Sequence, residues 1–106
     1  MDKKTQDAVE ALQKDVNFWK QNDNCPGVYG DVMVEKLIKE GHLSYKRKSH
    51  EFDNKFAGSN FWHYVLEWKF GSVKGMTEVT TYWNDEKDME SAIYRDLIKR
   101  FNINDL

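Results

Sequence analysis

Between residues 61 and 70 the chain reads Phe-Trp-His-Tyr-Val-Leu-Glu-Trp-Lys-Phe, with a large apolar side chain at every even position. A period of two over so long a run belongs to a β-strand, because successive side chains leave an extended backbone on opposite faces. One face carries Trp62, Tyr64, Leu66, Trp68 and Phe70 and has to be covered by other elements. The other carries Phe61, His63, Val65, Glu67 and Lys69, a mixture that tolerates water. Whatever this chain folds into is therefore layered on one side of a sheet.

The flanking segments supply the layer. Residues 2–21 repeat Val9, Leu12, Val16 and Trp19 at 3-4-3 spacing, with charges between them, which predicts an amphipathic helix. The turn cluster Asn22-Asp23-Asn24-Cys25-Pro26-Gly27 ends it. A second helix is predicted from Val28 to Glu40, with Tyr29, Val32, Met33, Leu37 and Ile38 on one side and Gly41 just past its end. Leu43 to Ser49 is rich in charge and reads as an edge strand, and Glu51 to Asn60 as a loop with Phe52 and Phe56 as anchors. Strands follow at 60–70 and 76–83. A last helix is predicted from Glu86 to Phe101, with acids in its first turn and Lys99 and Arg100 in its last, as the helix dipole favours.

The order is α-α-β-β-β-α. It predicts an α+β fold: a three-stranded antiparallel sheet with helices packed on its Trp-rich face. At 106 residues the chain is one domain, residues 1–21 forming the N-terminal helix and 28–106 an αβββα unit. For the hairpin, a four-residue loop Ser72-Val73-Lys74-Gly75 pairs Lys69 with Glu78 and Trp68 with Val79, and keeps Glu78 off the apolar face. It sets Tyr82 and Thr80 on the same face as His63 and Val65. The N-terminal helix, with its own apolar stripe, is the expected cover of that second face.

Composition narrows the chemistry. There are 16 basic and 18 acidic residues, for a net charge of −2, which predicts neither an acidic tail nor a general polyanion binder. Cys25 is the only cysteine, so an internal disulfide is impossible and no thiolate metal site is expected. His42, His50 and His63 are scattered over strand and loop without a metal-ligand spacing, so no metal is expected from them. Cys25 has neither a base nor a basic neighbour in its own segment to activate it, no nucleophile-elbow or cofactor-binding loop occurs, and the acids at 85–90 read as helix N-terminal charge. The expectation is a protein without catalytic activity or cofactor. With no apolar leader at Met1 and no apolar run of membrane-spanning length, a cytoplasmic protein that does not cross a membrane is expected.

Lys46, Arg47, Lys48 and Lys55 form a basic edge that invites a nucleic-acid reading. From residue 28 onward the α-β-β-β-α order resembles that of double-stranded RNA-binding domains. That resemblance implies a lysine-rich start to the last helix, whereas this chain has Asp85-Glu86-Lys87-Asp88, which repels phosphate. Nucleic acid is thus the second reading and a homodimeric adaptor the third. The first is a small protein-binding module, of the inhibitor or immunity type and suited to a phage or bacterial source. It would act as monomer or homodimer through Phe61, His63, Val65 and Tyr82 on the second sheet face, where an aromatic-aliphatic patch meets a polar rim.

Overall fold

A computed structural model describes residues 1–22, 25–56, 59–81 and 86–105, and the side chains of all of these except 49–56 and 59–61. Its elements are α1 (Lys3–Asn22), a 3₁₀ turn (Pro26–Tyr29), α2 (Gly30–Lys39), β1 (Leu43–Phe56), β2 (Ser59–Phe70), β3 (Val73–Thr81) and α3 (Glu86–Arg100). The strands form one antiparallel sheet in the order β1-β2-β3, with the aromatic strand β2 in the centre. The α+β class and the α-α-β-β-β-α order are as the sequence predicts.

All three helices lie on the Trp-rich face. Ala8, Leu12 and Val16 of α1, Met33, Val34 and Leu37 of α2, and Met89, Ile93 and Leu97 of α3 share one core with Tyr64, Leu66, Trp68 and Phe70. The expectation that α1 covers the second face is therefore wrong. The periodicity of α1 shows only that it must bury a stripe, and the core beneath α2 and α3 takes that stripe. On α2 the buried residues are Gly30, Met33, Val34 and Leu37, leaving Val32 and Ile38 at the surface. Its end is a Schellman closure around Gly41 (φ 81°), with His42 N–H donating to the Leu37 carbonyl and Gly41 N–H to that of Ile38.

Two features of the sheet differ from expectation. The segment 51–56 is not loop but the continuation of β1, paired with β2 out to Phe56 and Ser59. An edge strand takes its hydrogen bonds from a neighbour, so it needs no hydrophobic pattern of its own. The pairing slips by one residue between Arg47 and Ser49, leaving Lys48 as a bulge.

The second difference is the hairpin, which turns on two residues, Gly71 and Ser72, and pairs Trp68 with Gly75 and Val65 with Glu78. This register is four residues away from the predicted one. An even shift preserves the period of two, so Glu78, Val79 and Thr80 still fall on their predicted faces, while Val73 to Gly75, predicted as loop, belong to the strand.

Gly71 carries the turn at φ 59°, the first position of a two-residue hairpin where glycine is favoured. A Cβ there would sit 2.4 Å from the Thr5 backbone. This close approach docks the start of α1. The Ser72 N–H donates to Thr5 Oγ1 (3.0 Å), and Asp2 caps the helix by accepting from the Thr5 N–H (3.0 Å). Hydrogen bonds from the Ser72 and Thr5 hydroxyls and the Thr5 N–H hold the Asp2 carboxyl at about 2. Gly71→Ala is expected to cost about 2 kcal/mol or more in urea denaturation, from positive φ and overlap together. Gly27→Ala, where an added Cβ meets nothing within 4 Å, is the control.

Elsewhere, Lys36 of α2 pairs with the buried Asp15 of α1 at 2.6 Å, a hydrogen bond that raises the lysine pKa. The C-terminal tail returns to α1, where Gln13 exchanges hydrogen bonds with the Asn104 backbone. Among the described residues no helix is long and apolar enough to cross a membrane.

Candidate functional site

With the helices gathered on one side, the reverse face of the sheet is left open among the described residues. The register sets it out in rows: Ser44, Lys69 and Lys74 nearest the β2–β3 turn, then Lys46, Glu67 and Met76, then Val65 beside Glu78, then His63 beside Thr80. Val65 is half-buried by its neighbours and Met76 is 55% exposed, so these two supply the apolar centre. Lys48 projects from the bulge to place its ammonium 4.0 Å from Met76 Sδ.

Charge is graded along this face. Lys46, Lys69 and Lys74 crowd the turn end, tempered by Glu67, which lies 3.9 Å from the Lys46 ammonium. Towards the far end Glu78 lies 3.8 Å from His63 Nε2, while His63 Nδ1 is 3.1 Å from Thr80 Oγ1. His63 is thus held on both sides, its ring fixed across the β2–β3 pair. These contacts are largely exposed and individually weak, so they orient side chains more than they stabilise the fold.

Of the four residues predicted for protein binding, the structure brings His63 and Val65 together on the open face. The Phe61 side chain and Tyr82 lie outside the described residues. Lys69 lies on the face that its parity predicts, and Met76 and Lys74 join it without having been singled out. The parity of β3 would have identified Met76, since it shares the even positions of Glu78 and Thr80.

The basic edge does not survive as a unit. Lys46 belongs to the open face, whereas Arg47 lies on the opposite face with its guanidinium 5.6 Å from the centre of the Tyr64 ring. Adjacent residues of a strand point oppositely, so a tripeptide of bases cannot make one patch. The Lys55 side chain lies outside the described residues.

Among the described residues no group of three His, Cys, Asp or Glu is placed to hold a metal ion. Cys25 is exposed just before the 3₁₀ turn.

The molecule is thus of a simple class, an α+β half-sandwich with three helices on one face of a three-stranded sheet and, among the described residues, the other face open. Comparison with protein families, curated proteins and solved structures finds no match to this chain.

Proposed function

We propose that this is a non-catalytic protein-recognition module that engages another protein through the open sheet face. One observation carries the reading: every helix packs on the Trp-rich side, and the uncovered side sets Val65 and Met76 inside a rim of lysines, glutamates, Thr80 and His63. An apolar centre with a polar rim is how protein interfaces are built. The charge gradient suits a partner with an acidic group opposite Lys69 and Lys74 and a basic group opposite Glu78. Inhibitors and immunity-type factors work in this way, since occupying a surface is their whole activity. The single cysteine, which leaves the chain without an internal disulfide, suits a partner inside the cell, in the cytoplasm.

The test is affinity capture from the native host with the wild-type chain and with Met76→Glu and Thr80→Lys, both at exposed positions. The expected result is one partner retained in stoichiometric amount by the wild type and lost about tenfold or more by each variant, with unchanged melting temperatures. Equal capture by all three proteins would remove the sheet face from the reading. The grouping of Lys46, Lys69 and Lys74 at one end supports a second reading, contact with nucleic-acid phosphate. It requires binding that weakens steeply as salt rises.

A further inference from the structure

On the helical side of the molecule, α2 and α3 pack against each other, and each carries two acids one turn apart: Asp31 and Glu35 on α2, Glu86 and Glu90 on α3. Glu35 and Glu86 are exposed and Asp31 half-buried, but Glu90 is only 3% exposed and its Oε2 has no hydrogen-bond partner. Burial raises the Glu90 carboxyl to about 7, and the nearby Glu35, Glu86 and Asp31 reinforce the shift; a hydrogen bond to Glu35 accompanies them. The charges that act on it are of its own sign. Tyr45 of β1 faces the same group, and its phenol is held at about 12 by burial and by Glu90, Glu86 and Glu35, with Arg47 opposing.

Two cations of the neighbouring segments have contacts elsewhere. Lys36, next in sequence to Glu35, is paired with Asp15, and the Arg47 guanidinium lies over Tyr64. Three carboxylates around a buried, half-satisfied fourth cost stability in the isolated protein, and such unresolved charge is a mark of a site whose counter-charge arrives with a ligand.

What fits is narrow. A metal ion finds no three ligands among the described residues. Glu90 is buried while Glu35 and Glu86 are exposed, so the cation must be borne on a slender stem that carries it inward. A guanidinium also offers two parallel N–H donors to a pair of carboxylates.

We infer that the α2–α3 seam is a docking site for an arginine side chain of a protein partner, its guanidinium seated between Glu35 and Glu90 with Asp31 and Glu86 at the rim. The guanidinium replaces the proton that Glu90 shares with Glu35, and this proton passes to solvent. Binding therefore tightens as pH rises. The seam and the open sheet face are on opposite sides of the molecule, so the two readings stand or fall separately.

The probe is a blocked glycine-rich peptide containing one arginine, added to the full chain in an amide NMR titration at about 0.15 M salt, where screening suppresses diffuse attraction. The expected result is shift changes confined to 30–39 and 86–94, with affinity rising about fivefold or more from about pH 6 to about pH 8. The same peptide with citrulline in place of arginine should produce none of these changes, because it keeps the shape and lacks the charge. Glu90→Gln, which is isosteric, should abolish the pH dependence and weaken binding about tenfold. Glu35→Gln at the exposed rim should weaken it as well. Shifts on the sheet face instead, equal response to citrulline, or unaltered binding by Glu90→Gln would each overturn the assignment.

Discussion

Trp68→Ala should lower the stability of this protein by about 4 kcal/mol, a large share of what a domain of this size possesses. Trp68 is 2% exposed near the turn end of the central strand, and its indole lies over Gly75 of β3 so closely that a Cβ there would fall 2.3 Å from Cζ2. Its Nε1–H donates to Thr77 Oγ1 at 2.9 Å, and the Thr77 hydroxyl donates to Asp96 Oδ2 of α3 at 2.6 Å. The Arg100 guanidinium lies 5.5 Å from the ring centre.

Removing the indole thus opens a cavity, strips an interaction from Arg100 and leaves the Thr77 oxygen without its donor. Trp68→Phe should cost less, since it fills most of the space and loses mainly the hydrogen bond. Thr77→Val separates the polar part from the packing part: it keeps the shape, breaks both hydrogen bonds and should cost about 2 kcal/mol. Urea denaturation measures all three. If Thr77→Val were neutral, the relay from β2 through β3 to α3 would have no role in stability.

The second large effect is a pH dependence set by Glu90. Its folded pKa of about 7 stands above the ordinary 4.5. Between those values the folded state binds the proton and the unfolded state releases it. Stability is therefore greatest below about 4.5 with respect to this group and falls as pH rises through about 7. The loss approaches about 3 kcal/mol on the alkaline side. Glu90→Gln keeps the volume, removes the titration and should be more stable than wild type above about pH 7, with a flatter profile.

At the acid end Asp2 acts in the opposite sense. Its carboxyl is held at about 2, so the contribution of its cap is present above the ordinary 3.8 and is lost as pH falls towards 2. A wild-type stability profile that stays flat from about pH 5 to about pH 8 would refute the buried-carboxyl account.

Legibility differed between levels of the structure. The alternation from Trp62 to Phe70 showed the central strand, its core face and the need for a covering layer, because each follows from the backbone's own period. The faces of Glu78, Val79 and Thr80 in β3 were legible even though its register was four residues out. The turn itself was missed: Gly71 with Ser72 and Gly75 with its neighbours offer comparable turn chemistry, and only the docking of Thr5 against Gly71 separates them. The strand character of 51–56 was hidden because an edge strand can be held by its partner's hydrogen bonds alone.

The candidate sites show the same division. His63, Val65 and Lys69 were legible as reverse-face residues from parity, but that Lys46 and Lys74 lie beside them there depends on the pairing of three strands. Lys46-Arg47-Lys48 looked like one patch and is split across the sheet. Glu90 could not have been found at all. Helix periodicity reads an acid as solvent-facing, and the pairs Asp31–Glu35 and Glu86–Glu90 come together only through the packing of α2 on α3.

What the sequence determined by itself is thus what local periodicity can encode: which segments are helix or central strand, and which of their faces seek cover. The tertiary structure decided where α1 goes, which sheet face stays open and which charges share a neighbourhood. Those outcomes depend on shape complementarity and on electrostatic contacts between residues far apart in the chain, for which no local pattern exists.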